Sequence, residues 1–286
     1  MLTGEWGPEH IDELVDLLAE VMPAEDLTAD EVFTACYDQP GSVLAGDEGV
    51  VAIGMGRALD GRNIAAVRLL AVHPDAPAGT SAHHELLDAA ESWARDRGAS
   101  RLELGGALPF PLWPGVDSNS PLGEVASARG YVEHLQFEAH GVPSSFRSDP
   151  PADVDVRRAV RDEDVVAVVI AAAAHWPWWS DEIARALEHG TCHVATTIDP
   201  TVGELVIGLG CHSITRATWV GPLAVLEAHR RRGVGHALLG QICRDLMIAD
   251  FPIAEVPEVD PVSFGAFFSA AGSSPVRSYR RIVLDL

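Results

Sequence analysis

"GPLAVLEAHRRRGVGHALL", residues 221–239, places an apolar strand-like run ahead of a basic loop, two glycines and the start of a helical pattern. Arg230, Arg231 and Arg232 stand together in a chain of 42 acids, 20 bases and formal net charge −22. A helix N-terminus carries partial positive charge, so three cations there are unfavourable on a bare surface. They become favourable if an anion comes to the same place. First-turn N–H groups have no intrahelical acceptor and point outward, which makes that end of a helix an anion site. Gly233 and Gly235 let a phosphate approach the backbone, successive N–H groups can form a nest, and arginine adds charge-assisted hydrogen bonds. The stretch is no Walker A loop, since no Gly-Lys-Ser/Thr follows, and it lacks the third glycine of the dinucleotide fingerprint.

The rest of the chain limits what that anion is. At 286 residues with 47% apolar content, the chain has room for two domains with proper cores. Its longest apolar run, Val165 to Ala174, is about half of what a membrane span needs. "MLTGEWGPEHIDELVDLL" at the start has no basic region and carries acids early, unlike a secretory signal, so a soluble cytoplasmic protein is expected. Its negative charge repels a phosphate backbone, so neither nucleic acid nor membrane is an expected partner.

Cys36, Cys192, Cys211 and Cys243 show no metal or disulfide spacing. Cys192-His193 and Cys211-His212 are adjacent pairs, but neighbours in a strand face opposite ways. Each pair therefore offers one ligand, where a structural zinc takes four. No metal is expected.

Periodicity gives the same order of elements twice. The first half reads as helices at 8–21 and 28–38, the second opening on a Thr28-x-x-Glu31 capping box. Strands follow at 42–45, 49–58 and 63–72, then a long helix at 81–97, a strand in "SRLELGG", a Pro-rich stretch, a short helix before Gly130 and a strand near Phe137. "VPSSFRSDPPADVD" reads as a linker. The second half reads as a strand at 154–160, helices at 162–174 and 180–189, and strands at 192–198, 204–213 and 218–226. A long helix at 233–249, a strand at 253–256, a short helix at 262–271 and a closing strand complete it. A repeat of about 140 residues means two copies of one fold rather than a solenoid.

The quoted stretch resembles the acyl-CoA signature of the GNAT N-acetyltransferases, with Arg230, Gly233 and Gly235 at its Arg/Gln-x-x-Gly-x-Gly/Ala positions. The resemblance implies an α/β (α+β) fold of two tandem GNAT domains, each a mixed, mostly antiparallel sheet flanked by helices. The expected division is a degenerate N-terminal domain over 1–142, a linker over 143–153 and an acyl-CoA-binding domain over 154–286. Acetyl-CoA is the implied co-substrate. Backbone N–H groups from Arg231 through Arg232, Gly233, Val234, Gly235 and His236 to Ala237 would hold its pyrophosphate, and Leu223, Ala224 and Val225 would pair with its pantetheine. Glu227 stands where a proline is common. In the first half, "LLAVHPDAPAGTSAHHELL" keeps the strand and helix, but Pro77, Thr80 and Ala82 fall at the three signature positions. This layout resembles the tandem proteins of the mycothiol synthase type, whose C-terminal copy does the chemistry.

Acetyl transfer needs a base or water relay for the amine, an N–H for the developing oxyanion and a proton for the leaving thiolate. Val225 N–H is the expected oxyanion donor. The family's acid tyrosine position falls on Phe268, and Thr218 to Gly221 offer no carboxylate as base. If "ITRA" (214–217) is a hairpin turn, His212 pairs with Trp219 and faces the acceptor, which makes it the candidate catalytic base. "AHWPWWS" offers His175, Trp176, Trp178 and Trp179 as an aromatic wall for the acceptor, or else as packing between two helices. The reading is transfer of an acetyl group to a small-molecule amine. The alternatives are an inactive acyl-CoA sensor or scaffold, and transfer of a longer acyl group.

Overall fold

The computed structural model describes residues 2–38, 40–57, 62–76, 81–106, 110–201, 203–260 and 262–286. In chain order the elements are β1 (Leu2–Trp6), α1 (Ile11–Val21), α2 (Ala29–Tyr37), β2 (Gly41–Gly46), β3 (Gly49–Arg57), β4 (Asn63–Val72), α3 (Ser81–Asp96), β5 (Arg101–Leu104), β6 (Val116–Asp117), α4 (Leu122–Ala128) and β7 (Val132–Pro143). There follow β8 (Asp155–Arg158), α5 (Asp162–His175), α6 (Ser180–Glu188), β9 (Cys192–Asp199), β10 (Gly203–His212), β11 (Val220–Val225), α7 (Val234–Ile248), β12 (Ile253–Val259), α8 (Gly265–Ala270) and β13 (Ser274–Asp285). The helix starts follow local chemistry. Thr28 Oγ1 accepts from Glu31 N–H while the Glu31 carboxylate accepts from Thr28 N–H, so the expected capping box is complete.

The chain forms two compact units, 1–136 with 278–286 and 137–277. This differs from the expected boundary. The chain changes unit inside β7 and again inside β13, so its last residues complete the first unit. There, 282–285 of β13 lie antiparallel to 101–104 of β5. The expected linker over 143–153 also differs. Ser144 N–H donates to Pro252 O at 2.9 Å, and Ser148 N lies 3.0 Å from where a Cβ on Gly240 would be. That segment is packed against α7 because Gly240 leaves room for its backbone.

In the first unit the strand order is β1-β2-β3-β4-β5-β13, antiparallel except for β4 beside β5. The run Val50–Ile53 alternates between two buried faces. Val51 and Ile53 meet Leu86, Leu87 and Trp93 of α3, while Val50 and Ala52 meet Leu14 and Leu18 of α1 and Val32 of α2. A sheet covered on both sides reads as a continuous apolar run. Each fully buried leucine contributes about 1.5–3 kcal/mol.

The second unit holds the antiparallel order β11-β10-β9-β8, with β7 paired to β12. α7 crosses β10 over Gly208 and Gly210. A Cβ at those positions would meet Leu238 Cδ1 at 3.2 Å and Ile242 Cδ1 at 3.1 Å respectively. The helix sits close to the sheet because two residues there have no side chain. Among the described residues, no helix is long and apolar enough to cross a membrane.

Candidate functional site

β11 ends the four-stranded order, paired with β10 on one side only. It meets β12 at a single bridge, Trp219 to Glu255, where Glu255 N–H donates to Thr218 O at 2.8 Å. Among the described residues no further pairing joins β11 to β12, which leaves the other edge of β11 bare. Gly221 (φ 151°) and a register shift between Gly210 and His212 mark the place where β11 bulges. Leu226 N–H reaches across to Ile207 O of β10 at 2.8 Å, whereas Val225 O faces away and accepts from Arg230 Nε at 3.0 Å. A residue's N–H and C=O share one side of a strand, so Val225 N–H lies on the bare edge.

The loop from β11 turns into α7 through two left-handed residues, Arg231 (φ 62°) and Gly233 (φ 90°). Gly233 caps α7 without a side-chain bond. Ala237 N–H is the first in the helix to close back, onto Gly233 O at 3.0 Å, so the N–H groups before it are free to meet an anion. The three arginines divide their work. Arg230 holds the strand end, and Arg232 pairs with Asp153 at 2.6 Å. Arg231 is exposed and has no ion pair or hydrogen bond among the described residues. His236 offers only its backbone, because its ring Nε2–H donates to Phe267 O (2.9 Å) and the ring stacks on Phe267 with centroids 4.3 Å apart. A Cβ on Gly235 would come 3.1 Å from that Phe267 ring.

Two expected positions come out differently. His212 opposes Val220 rather than Trp219, because the turn runs past 214–217 and Ser213 N–H closes on Trp219 O at 2.9 Å. Val220 packs with Leu239 and Ile242 of α7, and His212 Nε2 lies 3.2 Å from Asp245 Oδ2 on the same helix. It therefore points at α7 and not toward an acceptor. The aromatic segment splits as well: Trp176 is buried, Trp178 is exposed, Trp179 is half-buried and His175 is exposed. Trp178 and Trp179 meet edge to face at 5.8 Å. Phe268 is buried with Val142, Leu239 and Ile242, as an apolar side chain should be.

Two polar features escaped the sequence reading. His193 Nε2 and Arg158 Nη2 each lie 2.7 Å from the same Asp245 oxygen that His212 approaches. Burial alone would raise the Asp245 carboxyl, but donation from His193, His212 and Arg158 holds it well below the usual carboxylate range. In the first turn of α6, burial raises Glu182 to about 7, and its Oε1 has no partner. In sequence Glu182 looks like any acid at a helix start.

The matching strand of the first unit runs from 63 to 72, and its pairing with β5 covers only 65–67. Beyond that, Leu112 packs into the cluster formed by Leu69, Ala71 and the α1 and α2 residues. Gly106 N–H donates to Trp113 O at 2.8 Å, folding the Pro-rich loop back onto the end of β5. Residues 77–80, where Pro77 and Thr80 fall, lie outside the described residues; Ala82 is fully buried in α3.

Residues 11–109 match the acetyltransferase (GNAT) family. No curated protein matches the chain. Among solved structures, the GCN5-related glucosamine N-acetyltransferase region of a fungal multi-domain GH3 beta-N-acetylglucosaminidase superposes with TM-score 0.76 at 17% identity, over 99% of this chain and 38% of that one. The chain thus spans well under half of that protein's length. A GCN5-related N-acetyltransferase from Sphaerobacter thermophilus gives 0.70 at 15%, over 98% and 94%. A tandem GNAT protein from the clavulanic acid biosynthesis pathway gives 0.68 at 15%, over 98% and 97%. At these identities the likeness is one of fold. The chain has the GNAT acetyltransferase fold, a mixed α/β architecture with a mostly antiparallel sheet flanked by helices.

Proposed function

We propose that this chain is an N-acetyltransferase that moves an acetyl group from acetyl-CoA to the amine of a small molecule, by direct attack in the second unit. The observation that carries this is a bare β11 edge feeding, through left-handed Arg231 and Gly233, into the open first turn of α7. That donor set fits the substrate's chemistry. Free N–H groups and an unpaired guanidinium suit a pyrophosphate, and a strand edge over Leu223–Val225 suits the amides of pantetheine. A Cβ at Gly233 would meet nothing within 4 Å, so the backbone there is open to approach.

In this reading Val225 N–H stabilises the oxyanion as the amine adds to the carbonyl. With His212 held by Asp245, the amine gives up its proton to water rather than to that ring. With Trp176 buried, His175, Trp178 and Trp179 form the part of the aromatic segment left to meet the acceptor. The first unit, where Leu112 packs into the core beside Leu69 and Ala71, serves as a support, which is the layout expected from the mycothiol synthase resemblance. The expected setting is the cytoplasm.

A second reading has one observation in its favour. Phe268 leaves no acid on α8 and His212 is turned away, as an acyl-CoA sensor without catalysis would allow. Thiol release from acetyl-CoA across a panel of amines, measured beside CoA binding by calorimetry, separates them. Turnover on any amine supports the transferase, and tight binding with no turnover supports the sensor. The family match lies in the first unit, so Gly235→Glu asks which unit binds. Loss of CoA binding in a folded variant places the donor in the second unit. Retained binding overturns that placement.

A further inference from the structure

The two Cys-His dipeptides contribute one histidine each to a single place. His193 from β9, His212 from β10 and Asp245 from α7 bring three ligand atoms within 4.8 Å of one another. We propose that this cluster binds a divalent transition ion of the zinc type through His193 Nε2, His212 Nε2 and Asp245 Oδ2. The inference is independent of the acyl-transfer reading.

The proton positions argue for it. Ser213 Oγ donates its one hydrogen to Ala217 O, so toward His212 Nδ1, 2.8 Å away, it is an acceptor and Nδ1 carries a proton. In a neutral ring Nε2 is then a lone pair 3.2 Å from a carboxylate oxygen. In the metal-free protein a second proton on the ring, donated to Asp245, relieves that repulsion, and a metal cation between the two would take that proton's place. A metal-ligating histidine hands its other N–H to an oxygen that fixes its tautomer, and Ser213 is such an oxygen.

Ligand type agrees, and the three ligand atoms, all within 4.8 Å of one another, need small side-chain shifts to reach the spacing of a site. Zinc bonds of about 2.0–2.1 Å in a tetrahedron set ligand atoms about 3.3 Å apart. His212 and Asp245 already stand at 3.2 Å, while His193 and Asp245 at 2.7 Å need to open by about 0.6 Å. Two imidazoles and a carboxylate suit zinc, cobalt or nickel rather than calcium or magnesium. Both histidines are buried, so the ion would tie α7 to the floor of the sheet.

Arg158 is the built-in competitor. Its Nη2 lies 2.7 Å from the same Asp245 oxygen, and its side chain is 44% exposed. It approaches from the solvent side, where an ion would enter, and must yield Asp245 when one does. Removing it should therefore strengthen metal binding, whereas in a purely ionic cluster it would only remove a partner.

The experiment uses the full chain, stripped with a chelator and titrated with Zn²⁺ against a chromophoric competitor, with Co²⁺ absorption as a second probe. One equivalent of Zn²⁺ is expected, weakened at least tenfold by His193→Gln and by His212→Gln and tightened several-fold by Arg158→Gln. No stoichiometric uptake by either wild type or Arg158→Gln overturns the proposal, as does uptake unchanged in both histidine variants. If those variants do not fold, Arg158→Gln decides alone: tighter binding supports the site, and unchanged binding overturns it.

Discussion

Arg230 Nε donates to the main-chain oxygen of Val225 at 3.0 Å, joining the first residue of the basic loop to the last residue of β11. The arginine at the signature position is therefore tied to the strand end while its side chain stays exposed. It fixes the angle at which the strand edge and the open turn of α7 meet, and leaves Arg231 as the cation free to face a phosphate.

Arg230→Ala should weaken CoA binding about tenfold, the scale of one charge-assisted hydrogen bond. The melting temperature should hardly move, because the side chain is exposed. Arg230→Lys should not restore affinity, since an ammonium cannot reproduce the Nε direction. Calorimetry and a thermal melt on the three proteins check this.

Leu112→Ala should cost about 2–5 kcal/mol of stability, as deletion of a fully buried leucine does. CoA affinity in the second unit should be unchanged. Denaturant unfolding beside CoA titration tests both parts, and a loss of affinity matching the loss of stability would count against a merely supporting first unit.

Glu182→Gln should stabilise the protein at pH 8 and leave it nearly unchanged at pH 5. Burial raises the folded carboxyl to about 7, above its unfolded value near 4.5. Its contribution is therefore fullest below about pH 4.5 and is lost as pH rises toward 7. The gain from the variant at pH 8 is about 2–3 kcal/mol. Melts across that range give the sign directly.

Asp164→Asn should cost about 1–2 kcal/mol at pH 7. Hydrogen bonds from Arg161 and Arg157 lower the Asp164 carboxyl to about 2 in the folded chain. Its contribution is present above about pH 4 and lost as pH falls toward 2. Wild type and variant should converge in stability near pH 2, which urea unfolding at two pH values shows.

Local pattern made most elements legible. The Thr28–Glu31 capping box, the strand-like run that begins at Gly49 and the glycine loop before α7 each depend on residues a few positions apart, and each stands where expected. β1 was missed because "LTGEW" is short and carries Gly4 and Glu5, giving no clean alternation. His212 opposes a residue one step from the expected one, since the turn is longer than 214–217, and one step of register changes which side chains share a face.

The sequence by itself determined the repeated element order and the glycine loop before α7, because helix caps, apolar runs and a glycine turn are set by neighbours along the chain. Only the tertiary structure decided that 282–285 pair with 101–104, that Leu112 packs with Leu69 and Ala71, and that Asp245 meets two histidines 52 and 33 residues away. Those contacts join residues far apart in the chain, and which of them form is settled by the packing of whole elements, where no local period carries a trace.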